Sequence, residues 1–417
     1  MANMVGTGVY TSLGFQVGPL PSGFVLLTLW FVGGICALCG ALCYGELGAA
    51  LPRSGGEYHF LSRSMHPAIG FLAGFLAATV GFSAPISLAA MAFNKYAARM
   101  GLDLPAPWLA LAVVTLVAGI HLTGVRRSGM FQNVVTAMQF LLIFIFIVAG
   151  FFTPAQPDIS FLPPADSFHL IKSAPFAVSL IYVLYAYTGW NASSYIAGEV
   201  ENPSRTIPLS ALLGTLIVAA LYLALNATFL KVAPLNELAG QIDIGHIAAT
   251  HIFGPTGGRI MSGLICVGLV SAISAMTWIG PRVAAIMGED NRLMAPLARR
   301  AANGVPVYAL LFQYGIIVVL LLTTAFEQVL TYVQFSLTLS SFLTVLGLVI
   351  LRWREPNLPR PYRTWGYPVT PLVFMAISVW VLIHVAQSNP RESLAGTATL
   401  LFGLLIYYAS RRTNPAG

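Results

Sequence analysis

Long stretches without a single charged side chain are what most constrain this 417-residue sequence. No Asp, Glu, Lys or Arg occurs between Arg127 and Asp158, Lys172 and Glu199, Arg205 and Lys231, or Arg363 and Arg391. Each gap accommodates the roughly 20 apolar residues that take a helix across the hydrocarbon core of a bilayer. Charged residues make up 8% of the chain and the mean hydropathy is +0.79, which excludes a soluble fold of this length. The pattern predicts an all-α polytopic membrane protein with spans near 23–48, 67–97, 105–123, 129–152, 174–198, 207–230, 258–286, 305–325, 328–351, 369–387 and 393–410. A broken segment at 4–17 in front brings the expected number of transmembrane segments to about twelve.

Orientation follows from the arginines and lysines. With the N-terminus cytoplasmic, fifteen fall on the inner side: Arg53, Arg63, Arg126, Arg127, Arg205, Arg282, Arg292, Arg299, Arg300, Arg352, Arg354, Arg360, Arg363, Arg411 and Arg412. Six fall outside: Lys95, Arg99, Lys172, Lys231, Arg259 and Arg391. This bias places both termini in the cytoplasm. The net charge of +7 is therefore a topology signal, and its dispersal among loops argues against a nucleic-acid partner. Cys36, Cys39 and Cys43 share one helix face, with no His or acid near them in sequence, and read as small packing residues. The sequence calls for no metal and no cofactor. Residues 1–17 would cover only about 26 Å as a helix at 1.5 Å per residue. The chain is read as beginning inside its first helix, through a late start site or truncated gene model; the alternative is a naturally short first half-helix.

Two spans are interrupted. Gly6-Thr7-Gly8 breaks the first, and Thr188-Gly189-Trp190-Asn191 breaks the charge-free run before Gly198. Lipid cannot satisfy the amides and carbonyls that such breaks release, so they persist where they line a cavity or hold a ligand. Paired breaks in two halves of a chain point to the binding site of a secondary transporter. The opposing reading of Gly6 and Gly8 is close helix packing through small residues.

The same residues carry a resemblance. Gly6-Thr7-Gly8-Val9-Tyr10 resembles the first-helix signature of the amino acid–polyamine–organocation permeases. Tyr44-Gly45-Glu46-Leu47 and the block from Leu51-Pro52-Arg53 to Gly55-Gly56-Glu57-Tyr58 resemble their second helix and the loop after it. The segment from Tyr185 to Asn191 and that from Glu199 to Pro208 resemble the sixth helix and its exit. Arg360-Pro361-Tyr362-Arg363 and the following Thr364-Trp365-Gly366-Tyr367-Pro368 resemble a loop of the L-type amino acid transporter branch. The likeness runs almost end to end and implies a single permease domain over 1–417, with a 5+5 inverted repeat (about 1–152 and 174–351) and two peripheral helices (about 369–410). It implies a small-molecule amino acid substrate, carried by alternating access, and a protein that is not an enzyme. The α-carboxylate would meet backbone amides at Gly6, Thr7 and Gly8. The α-ammonium would meet carbonyls at Tyr185, Ala186 and Thr188. Tyr185 aligns with an aromatic that closes over substrate in such permeases. Trp190 either stacks on a substrate side chain or packs in the scaffold. Asn191 either contacts substrate or ties the sixth helix to a neighbour.

One position departs from the pattern. Family members without sodium coupling often carry a fifth-helix lysine that reaches the first-helix break, and the matching position is Gln139. An amide has no charge to titrate, so proton coupling there is not expected. Ser271, Ser274 and Thr277 offer hydroxyls towards a sodium site, but such groups commonly back-bond within helices. The coupling ion is left open, with exchange or facilitated uptake favoured over proton or sodium symport. The expected substrate is a neutral L-amino acid, since no acid or base lies deep in a span to match a charged side chain. Glu289-Asp290-Asn291-Arg292 and Glu199–Arg205 are read as a cytoplasmic gate network or as solvated loop charges. Compact loops suggest the plasma membrane of a bacterium. The remaining alternatives are a non-transporting sensor and an inactive truncated permease.

Overall fold

The computed structural model describes residues 4–102, 104, 105, 107–124, 128–155 and 159–412, without the side chains of 128–133, 199, 411 and 412. Met1, Arg126, Arg127 and Asp158 lie outside the described residues, as do the side chains of Glu199, Arg411 and Arg412. Among the described residues the regular structure is entirely helical. The main elements are α1 (Thr7–Gln16), α2 (Gly23–Ala50), α3 (Glu57–Ser64), α4 (Pro67–Arg99), α5 (Trp108–Leu122), α6 (Ser128–Phe152) and α7 (Ala174–Tyr187). They continue with α8 (Ala192–Tyr195), α9 (Pro203–Val232), α10 (Ile244–Asp290), α11 (Val307–Thr323), α12 (Phe326–Arg354), α13 (Val369–Ser388) and α14 (Pro390–Arg412). Eight of these are long and apolar enough to cross a membrane, and α5, α7 and α11 are shorter apolar helices. With α1 they fall one for one on the expected spans.

Local chemistry accounts for several helix starts. Ser22 caps α2 by accepting from the Val25 amide, and Ser173 caps α7 by accepting from Phe176, with proline in the first turn of α7. His66 Nδ1 accepts from the Ala68 amide where Pro67 opens α4. Three details depart from straight spans. The sixth span, expected over 174–198, is continuous helix only to Tyr187, and its second half shrinks to the four-residue α8. The Thr188 hydroxyl donates to the Leu184 carbonyl and the Ser194 hydroxyl to the Asn191 carbonyl, local bonds that compete with the helix ladder, and Gly189 leaves it altogether. Helix α10 bends sharply at Gly254 (φ 75°), which sets residues 244–253 apart as a short helix of their own. Inside α4, Ala77–Gly81 widens into a π-helical turn, a feature that often sits at functional sites.

α1 is buried on nearly every side, and it packs on α7, α10 and α4. α2 runs along α9, and α10 runs along α4. Exposed large apolar side chains such as Leu116, Phe144, Phe151, Leu401 and Phe402 cover the outer surface, where lipid is their solvent.

Charge is buried at one end. Glu46 near the end of α2 is 1% exposed, accepts from Arg352 Nε (2.8 Å) and from the Thr364 amide (2.7 Å), and forms an ion pair with Arg360 Nε 3.2 Å away. The link joins α2, the end of α12 and the loop before α13. Removing one partner of a buried ion pair strands the other. Glu46→Gln is therefore expected to destabilise the fold by about 3 kcal/mol, read as a lowered melting temperature in detergent. An exposed pair such as Arg300–Glu289 is worth no more than about 1 kcal/mol, so Glu289→Gln should leave the melt nearly unchanged.

Candidate functional site

The two interrupted helices lie side by side in opposite directions. Ser12 donates to the Tyr182 carbonyl at 3.0 Å, and one turn earlier in α1, Gly8 lies against Ala186, one turn later in α7. The amino end of α1 therefore meets the carboxyl end of α7. The first amides of α1 have no partner within the helix, and neither do the last carbonyls of α7. The helix dipoles add positive character at the first end and negative character at the second.

Two glycines permit this meeting. A Cβ at Gly8 would stand 2.3 Å from the Ala186 Cα, so no larger residue fits without parting the helices. Gly189 adopts φ 108°, a left-handed conformation that glycine enters at no steric cost, just after Thr188 has turned to ψ 142°. Part of the expected carbonyl set is already used, because the Tyr185 carbonyl accepts from the Thr188 amide at 3.0 Å.

A cavity, open in part to solvent, lies at the junction. Gly6, Thr7 and Gly8 line it from α1, and Tyr185, Ala186, Thr188 and Asn191 from the second break. All seven expected binding residues thus share one space. Residues that sequence reasoning missed complete the wall: Ala77, Gly81 and Phe82 at the π-turn of α4, Met276 on α10, Leu337 on α12, and Tyr195. A π-turn has no residue signature, and an apolar residue facing a cavity looks in sequence like one facing the core. Among the described residues no charged side chain lines the cavity.

Tyr185 is buried, and its side chain interacts with Thr7 across the helix pair. Trp190 lies elsewhere. Its ring packs edge-on against Tyr44 (centroids 4.6 Å apart) and against Phe374 (6.3 Å), lining a second, neighbouring cavity. Asn191 lines both cavities, and its amide lies 3.4 Å from Glu57 Oε1. Gln139 is buried, with Nε2 3.5 Å from the Val5 carbonyl beside the first break. Gly268 of α10 allows this approach, since a Cβ there would come within 2.3 Å of the amide nitrogen. Ser274 pairs with His121 at 3.0 Å and Thr277 back-bonds to Ile273, so neither hydroxyl is spent on α1.

The end of the helix pair away from the cavity is fastened. There Phe15 stacks between Tyr182 and Phe326, and Tyr182 donates to Glu327 at 2.7 Å. Arg99 pairs with Asp243 beside them, and Tyr96 joins the Tyr10 carbonyl to the Gly245 amide. Elsewhere Asp290 accepts from Arg53 (2.8 Å) and Tyr58 (2.9 Å), which ties the loop after α2 and the start of α3 to the end of α10.

Known proteins point the same way. A family model described as amino acid permease matches residues 1–409. The b(0,+)-type amino acid transporter 1 of Mus musculus is 25% identical over 419 residues, 98% of this chain and 85% of that protein. The large neutral amino acids transporter small subunit 2 of Mus musculus is 24% identical, over 98% of this chain and 78% of that protein. The serine/threonine exchanger SteT of Bacillus subtilis (strain 168) is 25% identical, over 99% of this chain and 94% of that protein.

The close approach makes a steric prediction. Gly8→Ala should force the α1–α7 pair apart at a cost of about 1–3 kcal/mol. Gly18→Ala, which meets nothing within 4 Å, should have little effect. Thermal melts of the two purified variants distinguish these outcomes.

Proposed function

Since the chain belongs to the amino acid permease family, we propose that it carries neutral L-amino acids across a bacterial inner membrane by alternating access, with both termini cytoplasmic. The observation that supports this most directly is the single cavity in which the amino end of α1 faces the carboxyl end of α7. A zwitterion fits that polarity. Its carboxylate takes the amides around Gly6, Thr7 and Gly8, and its ammonium takes the carbonyls of Ala186 and Thr188, with the second lone pair of Tyr185 in reach. Glycine at positions 6 and 8 lets the carboxylate reach the backbone.

The walls favour a neutral side chain. They combine Ala77, Phe82, Met276 and Leu337 with the polar Asn191 and the Tyr195 ring. A cationic or anionic side chain would enter without a partner, at a cost of several kcal/mol. The relatives whose names speak of large neutral amino acids and of serine and threonine agree with this choice. Tyr185 would then act as the lid between cavity and exit.

Exchange is the basic mode, because it requires only that the loaded carrier reorient. Purified full-length protein in liposomes preloaded with unlabelled alanine, serine and leucine should take up the same amino acids in labelled form. Excess lysine or glutamate should not compete. Absence of saturable uptake would refute the permease reading, and equal competition by lysine would refute the neutral pocket.

A further inference from the structure

One buried acid has no role in the binding scheme. Glu57 opens α3, immediately after Gly55-Gly56, and is 2% exposed. Its carboxyl group is surrounded by neutral groups from three other elements. Tyr44 of α2 lies 2.5 Å from Oε1, and Ser341 of α12 lies 3.1 Å from it. Ser340 of α12 lies 2.5 Å from Oε2, and the Asn191 amide completes the set. Among the described residues no cation pairs with it. The neighbouring cations are engaged elsewhere: Arg352 and Arg360 with Glu46, Arg53 with Asp290, Arg63 with Glu355.

The titratable groups that face Glu57 are Tyr44 from α2 and Tyr195 from the exit of the second break. α12 presents the two serines, and α4 has no ionisable side chain before Lys95. On α3 itself, the charges that act on His59 are those of Arg53, Asp290 and Arg63. An isolated carboxylate in such a place is costly, whereas a neutral acid is not. Every hydroxyl around it can exchange donor and acceptor roles, so the same shell serves either form.

We propose that Glu57 is the proton-carrying site of this permease: it binds a proton while α2, the second break and α12 close around it, and releases the proton when they part. This rests on the permease reading, and it replaces the lysine that Gln139 does not supply. Asn191 is the physical link, since it lines the substrate cavity and contacts the carboxyl group. The proton enters from water in the cavity, resides on a carboxylate oxygen, and leaves to cytoplasmic water once the shell opens. Direct donors at 2.5–3.4 Å fill the shell, which leaves no gap for a metal cation.

Burial raises the Glu57 pKa above its ordinary value, and the hydrogen bonds from Ser340, Tyr44, Ser341 and Asn191 offset this only in part. Below the ordinary value of about 4.3 the carboxyl is protonated whether buried or hydrated. Between the ordinary and the raised value, the closed shell holds a proton that the hydrated group gives up. Closure is therefore favoured by acid across that window and loses this advantage as pH rises through the raised value.

The test uses the full chain in sodium-free liposomes, comparing wild type, Glu57→Gln and Glu57→Asp. With the outside one pH unit more acidic, one proton per substrate supports about tenfold accumulation. Wild type should approach this, and Glu57→Gln should equilibrate without accumulating while retaining counterflow into preloaded vesicles. Glu57→Asp should accumulate with a displaced pH profile. Wild-type counterflow without gradient-driven accumulation would overturn the Glu57 proposal and leave the permease reading intact. Accumulation by Glu57→Gln, or an unmoved Glu57→Asp profile, would also overturn it. Failure of wild-type counterflow would refute the permease reading and this proposal with it.

Discussion

A helix that stops inside a membrane must dispose of its unpaired amides and carbonyls, and this structure disposes of two such ends against each other. α1 begins at Thr7 and α7 stops at Tyr187, with Gly8 against Ala186 fixing how closely they approach. Lipid offers no hydrogen bond to either end. The ends therefore have to sit in the protein interior, beside a cavity that water or a polar ligand can enter. The burial of α1 on nearly all sides follows from housing that junction.

The polar groups elsewhere sort by how much water they lose. Glu46 is fully enclosed and has two arginines and a backbone amide, so its removal strands charge. Arg53–Asp290 and Arg63–Glu355 are half-exposed and weak individually. Weak pairs suit a surface that would separate and re-form in the proposed transport cycle. Glu57 belongs to neither class: it is enclosed without a cation, and that makes its protonation sensitive to the packing of the helices around it.

Much of the fold is legible in the residues. The charge-free gaps locate the spans because an ionised side chain in hydrocarbon is expensive, and the breaks stand out because Gly and polar residues interrupt otherwise apolar runs. Gln139 is found beside the Val5 carbonyl, where the family pattern places a fifth-helix residue. Trp190 shows the limit. Adjacent to Asn191 in sequence, it points to Tyr44 and Phe374 while Asn191 faces the cavity, because the chain between Thr188 and Ala192 has no helical period to relate neighbouring directions.

What the sequence by itself determined is local or one-dimensional: which segments are apolar over a bilayer's length, where they break, and the absence of charge from their interiors. Those properties depend on transfer between water and lipid and on backbone chemistry, which neighbouring residues settle among themselves. Only the tertiary structure decided that Ala77, Met276 and Leu337 wall one cavity, that Arg352 and Arg360 converge on Glu46, and that Glu57 meets Tyr44, Asn191, Ser340 and Ser341. Glu57 and Ser340 are 283 positions apart. Nothing in a local pattern announces such a meeting, because it is fixed by how whole helices pack around the α1–α7 pair.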